Sequence, residues 1–297
     1  MGSRREFVRN AIVAAAALPV IGCTSEATHD QEGQPAQHDP NSSMTENSTP
    51  PSLAGLQLYT VRALMEADTL GTLETVAEIG YREVEFAGYF GHDPSAIRTH
   101  LDQLGVQSPA AHFSLADFSN DIERVIETAA VVGHRYLVCA WIPEEQRTSL
   151  DDYRRLARSF NEWGMRCSKA GIQFAYHNHD FEFAAHEGGI PYDILLNECD
   201  AGLVAMEIDL YWIRKAGHDP FSYFERYPGR FKLCHVKDMA ENGDMADVGA
   251  GTIDFAAVFE HAELAGIEHY FAEHDNPTDA IQSITTSYSG LANLLKG

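Results

Sequence analysis

Basic residues are scarce in this sequence of 297 residues. Lysine and arginine together number 21 against 44 aspartates and glutamates, which gives a formal net charge of −23. An acidic surface repels a phosphate backbone and releases none of its counterions, so a nucleic-acid partner is not expected. General solubility or a saline habitat accounts for the acidity itself.

Cysteines are also few, and none of the five has the CxxC spacing of a zinc knuckle. Four of them, Cys139, Cys167, Cys199 and Cys234, are expected to be small buried side chains with free thiols. The sequence likewise lacks a GxGxxG motif after its first predicted strand, which argues against a dinucleotide-binding fold.

The apolar run near the amino terminus, residues 11–20, is too short to span a bilayer. It follows the twin-arginine pattern SRREFV at residues 3–8 and precedes VIGC at residues 20–23, which resembles a lipoprotein cleavage box. The pattern predicts export by the twin-arginine route and a lipid on Cys23, although an ordinary secretory signal can also carry two arginines. The expected product is a periplasmic or cell-envelope lipoprotein that meets the membrane only through its lipid anchor.

The local composition divides the chain into three predicted segments. Residues 1–22 form the predicted signal peptide, and residues 23–52 are rich in small polar residues and proline, which predicts a disordered tether. Residues 53–297 can bury a full core and are expected to form one domain.

Short apolar runs alternate with helical patterns in that domain, as βα units with a parallel sheet do. Eight such repeats predict a (β/α)8 TIM barrel, with a doubly wound open sheet as the alternative. The predicted strands are Gly55–Thr60, Glu83–Ala87, Val106–His112, Tyr136–Trp141, Ile172–His177, Leu203–Asp209, Phe231–Lys237 and Tyr270–Glu273. The predicted helices include Leu70–Ile79, Ala96–Leu104, Ile122–Val131, Tyr153–Ala170, Phe255–Ala265 and Ile281–Leu295.

Polar residues stand at the carboxyl ends of the last four predicted strands, where barrel enzymes place their active sites. They are His177 with His179, then Asp209, His235 and Glu273. Each has an ordinary structural explanation, such as a helix cap for Asp209 or a core position for His235. Together they predict a site for a divalent cation, because buried carboxylates are costly without a positive partner. Either histidine of the pair could be the ligand, since residues two apart on a strand share a face.

Several motifs carry a family resemblance. They are QLY at residues 57–59, MEIDLYW at 206–212, CHVKD at 234–238, VGAGTIDF at 248–255 and AEHD at 272–275. In order and spacing they resemble the xylose isomerase-like barrels, which include sugar phosphate isomerases and epimerases and the family 2 AP endonucleases. The resemblance covers the chain from about residue 53 to its end.

The resemblance implies that one divalent metal ion is held by His177, Asp209, His235 and Glu273. It favours Mn²⁺, and mixed nitrogen and oxygen donors also suit Co²⁺ or Zn²⁺, with Mg²⁺ possible. Tagatose epimerases and inosose dehydratases commonly have glutamate where this chain has His177. In the epimerases that glutamate is one of two acid/base groups on opposite faces of the substrate.

The residue chemistry indicates proton abstraction next to a carbonyl. Glu273 is the expected base, and Lys237 or His179 would protonate or stabilise the enediolate oxygen. The alternative for Lys237 is a surface lysine in a loop. Six further residues are predicted substrate contacts, with structural roles as the alternative: Gln57, Tyr59, Glu85, His112, Trp141 and Trp212. The glycines at 249 and 251 are expected to form a turn and not a phosphate loop.

These observations predict a metal-dependent isomerase, epimerase or keto-sugar lyase. Its partner would be a small unphosphorylated carbohydrate, since sugar phosphates are scarce outside the cytoplasm and no arginine cluster is evident. The replacement of a family glutamate by His177 favours a lyase. A non-catalytic sugar-binding lipoprotein and, more distantly, an endonuclease-like barrel are the alternatives, and a homo-oligomer is possible.

Overall fold

A computed structural model describes residues 53–296 of the chain. The predicted signal peptide, the predicted tether and Cys23 lie outside the described residues. Eight parallel strands close into a barrel, each hydrogen-bonded to its neighbours in chain order, with the first strand paired to the last. The predicted TIM barrel is therefore confirmed.

The strands are Ala54–Gln57, Glu83–Phe86, Gln107–Phe113, Tyr136–Cys139, Gln173–His177, Val204–Asp209, Phe231–Val236 and His269–Ala272. They are called the first to eighth strands below.

Helices cover the outside of the barrel. Their bounds are Arg62–Ala67, Thr69–Ile79, Pro94–Leu104, Leu115–Val132, Leu150–Lys169, Pro191–Glu198, Leu210–Lys215, Pro220–Arg226, Phe255–Glu260, Ala262–Ala265 and Ala280–Leu294, with short 3-10 turns at Leu58–Val61 and Glu144–Gln146. Within the described part of the chain, no helix is both long enough and apolar enough to cross a membrane.

Two layers of apolar side chains hold the barrel together. Because side chains alternate along each strand, one set faces the helices in a large outer core and the other fills the barrel interior. The interior set is small: Ala110, Tyr136, Val138, Ala175, Ala205, Leu233 and Phe271. Gly55 permits this packing, since a Cβ atom there would lie 2.5 Å from the Phe271 ring.

Several element bounds differ from the predicted ones; the helix predicted over Ile122–Val131, for example, begins at Leu115, and the strand predicted over Tyr136–Trp141 ends at Cys139. Two further differences have a local cause. The first strand ends at Gln57, not Thr60, because the Gln57 side chain accepts a hydrogen bond from the Tyr59 amide and starts a 3-10 turn. The helix predicted over Phe255–Ala265 is two short helices divided at His261, whose Nδ1 bonds the Ala257 carbonyl.

A glycine loop follows the seventh strand and wraps around Asp238. The carboxylate of Asp238 accepts hydrogen bonds from the amides of Gly249, Gly251 and Ile253 at 2.9–3.1 Å. A Cβ atom on Gly251 would lie 2.3 Å from an Asp238 oxygen, so the close approach requires glycine. This loop thus holds an internal carboxylate, and its amides are not free to bind a phosphate.

Candidate active site

Four side chains from consecutive strands converge at the carboxyl end of the barrel. His177, Asp209, His235 and Glu273 come from the fifth to eighth strands and their loops, and each offers a ligand atom within 4.8 Å of the others. All four are buried. The group contains His177 and not His179, which lies beyond the end of the fifth strand.

The donor atoms of this group face one another without forming well-aligned hydrogen bonds, as expected for ligands of a cation. Nδ1 of His235 lies 2.8 Å from Oε2 of Glu273 and has no aligned hydrogen-bond partner among residues 53–296. The same Oε2 is 2.8 Å from the Lys237 ammonium. Nε2 of His177 lies 3.4 Å from Oδ2 of Asp209. Burial lowers the pKa of His177 and keeps it neutral, as a ligand must be. Two nitrogens and two oxygens fit Mn²⁺, Co²⁺ or Zn²⁺.

Lys237 is buried beside the same carboxylates and is not a surface lysine. Its Nζ lies 3.0 Å from Asp209, 2.8 Å from Glu273 and 2.7 Å from Asp275. Burial opposes the charge on this ammonium, but the three carboxylates outweigh burial and raise the pKa of Lys237 well above its usual value. Burial would raise the pKa of Glu273, but Lys237 and His235 outweigh it and lower that pKa. Glu273 is therefore held as a carboxylate.

A second layer of polar groups lies beneath the four. Nε2 of His235 is 2.7 Å from Glu85, which also accepts a 2.7 Å hydrogen bond from Gln57. Nε2 of His112 is 2.6 Å from Glu207 and 3.3 Å from Glu85. Burial and the Glu207 charge raise the pKa of Glu85 to about 7. His235 thus has one ring nitrogen in each layer.

Sequence reasoning missed three residues of this region. Glu207 precedes Asp209 by two in the same strand, so strand alternation places it on the same face and was the available signal. Asn178 is buried and its Oδ1 accepts the Asp209 amide at 3.2 Å, which explains the amide between the two histidines. Asp275 is the third carboxylate on Lys237, and only the spatial arrangement identifies it.

A cavity of about 560 Å³ opens above these groups. Its lining residues are Tyr59, Ala87, His112, Phe113, Ser114, Leu115, Ala116, Ala140, Trp141, Pro143, His177, His179, Lys237, Glu273 and Asp275. Of the predicted substrate contacts, Tyr59, His112 and Trp141 are in this set. Gln57 and Glu85 are fully buried below it, and Trp212 lies beside Lys237 but does not line it.

His179 lines the cavity next to His177, with ring centroids 4.8 Å apart. Burial, followed by the neighbouring His177 and Lys237, lowers the pKa of His179 well below its usual value. Its Nδ1 is buried and has no hydrogen-bond partner in the part of the chain that the structure describes. A neutral imidazole at this position can donate one hydrogen bond to a bound ligand or accept one from it.

A larger cavity, about 890 Å³, lies outside the barrel against helix Ala280–Leu294. Its described lining contains no histidine, lysine or arginine, and its Asp238 carboxylate is already bonded by the glycine loop. The convergence of polar groups, and not cavity size, therefore identifies the site.

Comparisons with known proteins agree with this architecture. Residues 73–286 match the family model described as Xylose isomerase-like TIM barrel. The chain is 25% identical over 239 residues to an inosose dehydratase of Lacticaseibacillus casei, which covers 66% of this chain and 79% of that protein.

Two solved structures share the fold. A sugar phosphate isomerase/epimerase from Parabacteroides distasonis is 24% identical, with a TM-score of 0.70 over 85% of this chain and 98% of that one. The IOLI protein with a bound zinc atom is 14% identical, with a TM-score of 0.68 over 82% of this chain and 98% of that chain.

Proposed function

The chain belongs to the xylose isomerase-like TIM barrel family, and from this premise we propose that it is a metal-dependent enzyme that removes a proton next to the carbonyl of an unphosphorylated sugar. The observation that carries the proposal is the convergence of His177, Asp209, His235 and Glu273 beside Lys237. Of these five residues, His177, Glu273 and Lys237 line an open cavity. The reaction class is isomerase, epimerase or lyase, the range spanned by the names of its relatives.

The four converging side chains would hold one divalent ion, Mn²⁺ in the first instance, with Co²⁺, Zn²⁺ or Mg²⁺ as alternatives. Nδ1 of His235, which has no aligned hydrogen-bond partner among the described residues, supports this assignment. When bound, such an ion polarises adjacent carbonyl and hydroxyl oxygens and makes the proton on the intervening carbon more acidic.

Glu273 is the proposed base. It lines the cavity, it is held as a carboxylate, and its two oxygens allow one to face the substrate. Lys237 lines the same cavity, and the carboxylates that raise its pKa favour its charged form, so it is placed to stabilise an enediolate oxygen. His179 is the proposed hydrogen-bond partner for a sugar hydroxyl.

Elimination is favoured over epimerisation. An epimerase needs acid/base groups on both faces of the substrate, and the strand position that would supply the second carboxylate is occupied by His177. A lyase can use one carboxyl group, because the proton that Glu273 removes can return to the leaving oxygen. The similarity to an inosose dehydratase agrees with elimination as the reaction class, but not with the argument from His177, because those enzymes commonly have glutamate there.

The substrate is proposed to lack a phosphate group. The described residues that line the cavity include no arginine, and the one lysine is already surrounded by three carboxylates. A phosphate would therefore meet uncompensated negative charge. The same charge, together with the net charge of −23, disfavours an endonuclease.

Glu273→Gln tests the role of the base. We expect the variant to keep much of its metal and to lose ~10²–10⁴-fold in turnover of keto-glycosides and in solvent deuterium uptake next to the carbonyl. The control is Glu268→Gln, which changes a partly exposed carboxylate before the same strand, bonded to Tyr136 and Lys232. Deuterium uptake by Glu273→Gln at the parent rate would make Glu273 a ligand only.

The same experiment also tests the alternative that the chain is a non-catalytic sugar-binding protein. Such a protein would bind the same keto-glycosides but show neither turnover nor deuterium uptake in the metal-loaded parent protein. Metal content measured by elemental analysis, with Asp209→Asn as the comparison, separates a lost ligand from a lost base.

A further inference from the structure

We propose that the cavity takes a two-part substrate, a keto-sugar joined through oxygen to an apolar ring-bearing group, and that Trp141 and Tyr59 bind the second part. The inference rests on the proposed function and specifies its substrate class. The supporting observation is that one part of the cavity wall is polar and the other is mainly apolar.

The cavity wall divides by strand. The lining residues that follow the fifth, seventh and eighth strands are all polar: His177, His179, Lys237, Glu273 and Asp275. The lining residues on the first four strands and the loops after them are mainly apolar: Tyr59, Ala87, His112, Phe113, Ser114, Leu115, Ala116, Ala140, Trp141 and Pro143. The chemistry is confined to the first group, so the second group contacts a part of the ligand that does not react.

Two polar side chains on the apolar half, Ser114 and His112, are already engaged. Ser114 Oγ donates to Asp117 at 2.6 Å as part of a helix capping box, and His112 Nε2 is paired with Glu207 at 2.6 Å. Apart from the Tyr59 hydroxyl and the Trp141 indole N–H, this half offers few side-chain partners to the hydroxyl groups around the rim of a free sugar. An apolar group needs no such partners there.

Size supports the same conclusion. The cavity volume of about 560 Å³ lies within the range of sites that enclose drug-sized ligands, roughly 300–1,000 Å³. A single pyranose ring occupies only part of this volume, and a substrate with a second ring can occupy more of it.

The two aromatic residues are unusually exposed. Seven large apolar side chains are exposed among residues 53–296, and two of them, Trp141 at 45% and Tyr59 at 42%, line this one cavity. The Arg62 guanidinium lies 4.1 Å from the centre of the Tyr59 ring. The Arg147 guanidinium lies 3.5 Å from the Phe181 ring and 5.7 Å from the Trp141 ring. Exposed aromatic rings that line a cavity present flat apolar faces on which a second ring can stack.

The reaction implied by this substrate balances without an oxidant. Glu273 takes the proton from the carbon next to the ketone, and the bond from the neighbouring carbon to the bridging oxygen breaks. The electron pair leaves on that oxygen, which receives the proton back. The products are an unsaturated keto-sugar and a ring-bearing alcohol. An earlier oxidation of the sugar hydroxyl to a ketone must supply the substrate.

Binding of unreactive glycosides tests the inference independently of turnover. Phenyl β-glucoside and methyl β-glucoside differ in the second group and lack the ketone, so neither can react. In calorimetry on the metal-loaded chain, we expect phenyl β-glucoside to bind about tenfold more tightly. Trp141→Ala should reduce this ratio to below about threefold, and Trp141→Phe should keep most of it.

Met165→Ala is the control, because Met165 is as exposed as Trp141 but lies on the outer helix Leu150–Lys169. Its affinity ratio should equal that of the parent protein. Equal affinity of the parent for the two glucosides, or an unchanged ratio in folded Trp141→Ala, would overturn the inference. Deuterium uptake by a methyl keto-glucoside would then still support the proposed function. Failure of both glucosides and the keto-glucoside to bind would overturn both.

Discussion

His235 has its two ring nitrogens in different environments, and this division fixes the geometry of the site. Nε2 is 2.7 Å from Glu85, whose second partner is the Gln57 amide, while Nδ1 faces Glu273. A carboxylate that accepts the far N–H of a ligand histidine fixes its tautomer and makes the other nitrogen a better ligand. We therefore assign Gln57 and Glu85 to the support of His235 and not to the substrate.

Glu85→Gln should weaken metal binding by roughly 10–100-fold, because the amide fixes the His235 tautomer less strongly than a carboxylate does. The measurement is the metal Kd from chelator competition. Glu83→Gln is the matched control, since Glu83 lies on the same strand and pairs with another buried histidine, His269, at 2.8 Å. An equal loss of affinity in both variants would point to a general loss of barrel stability instead.

At the scale of elements, the conformation of the loop after the fifth strand is fixed by hydrogen bonds to one buried carboxylate. Glu182 accepts a 2.8 Å hydrogen bond from the His179 amide and a short one from the Tyr176 hydroxyl. The backbone carbonyl of Glu182 accepts a 2.8 Å hydrogen bond from the Tyr192 amide, which connects the loop to helix Pro191–Glu198. These bonds hold His179 against the cavity. Burial raises the pKa of Glu182 to about 7.

The raised pKa predicts a pH-dependent stability. The ordinary pKa of a glutamate is 4.5, so between that value and about 7 the folded chain keeps a proton that the unfolded chain has lost. The free energy of unfolding should therefore fall as pH rises through this window, by up to about 3 kcal/mol. Glu182→Gln should remove that part of the slope.

Denaturant unfolding of metal-free protein at pH 5, 6, 7 and 8 measures the effect as the difference between parent and variant. Glu187→Gln changes an exposed carboxylate of the same loop and should leave the parent slope in place. A Glu182→Gln curve parallel to that of the parent would show that the Glu182 proton is not linked to folding.

At the scale of the whole molecule, the barrel occupies residues 53–296 and the proposed lipid anchor precedes it. We propose that the chain is exported and that Cys23 carries the lipid, on the evidence of the twin-arginine and VIGC patterns. This location agrees with an unphosphorylated substrate.

Cys23→Ser should shift the mature protein from the membrane fraction to the soluble fraction of the cell envelope, since a lipid chain is the proposed attachment. Fractionation and immunoblotting measure the shift. Cys139→Ser, which changes a buried cysteine of the barrel, is the control and should remain with membranes. Continued membrane association of Cys23→Ser would contradict the anchor.

The fold could be predicted from the sequence, and so could the strand ends that supply the cluster, while His177 and His179 stayed alternatives for one of its members. The alternation of short apolar runs with helical patterns is a local property of the chain, and a parallel barrel places every strand end at the same face. Strand ends at His177, Asp209, His235 and Glu273 could therefore be brought together without knowledge of any distance.

Tertiary structure decided the rest, because it depends on contacts between residues far apart in the chain. His235 and Glu85 are 150 residues apart, and only barrel closure and strand register bring Glu85 beneath the cluster instead of into the cavity. The burial of Lys237 requires Asp275 from the loop after the next strand. The apolar half of the cavity likewise combines loops from four separate strands, so no local pattern in the sequence could reveal it.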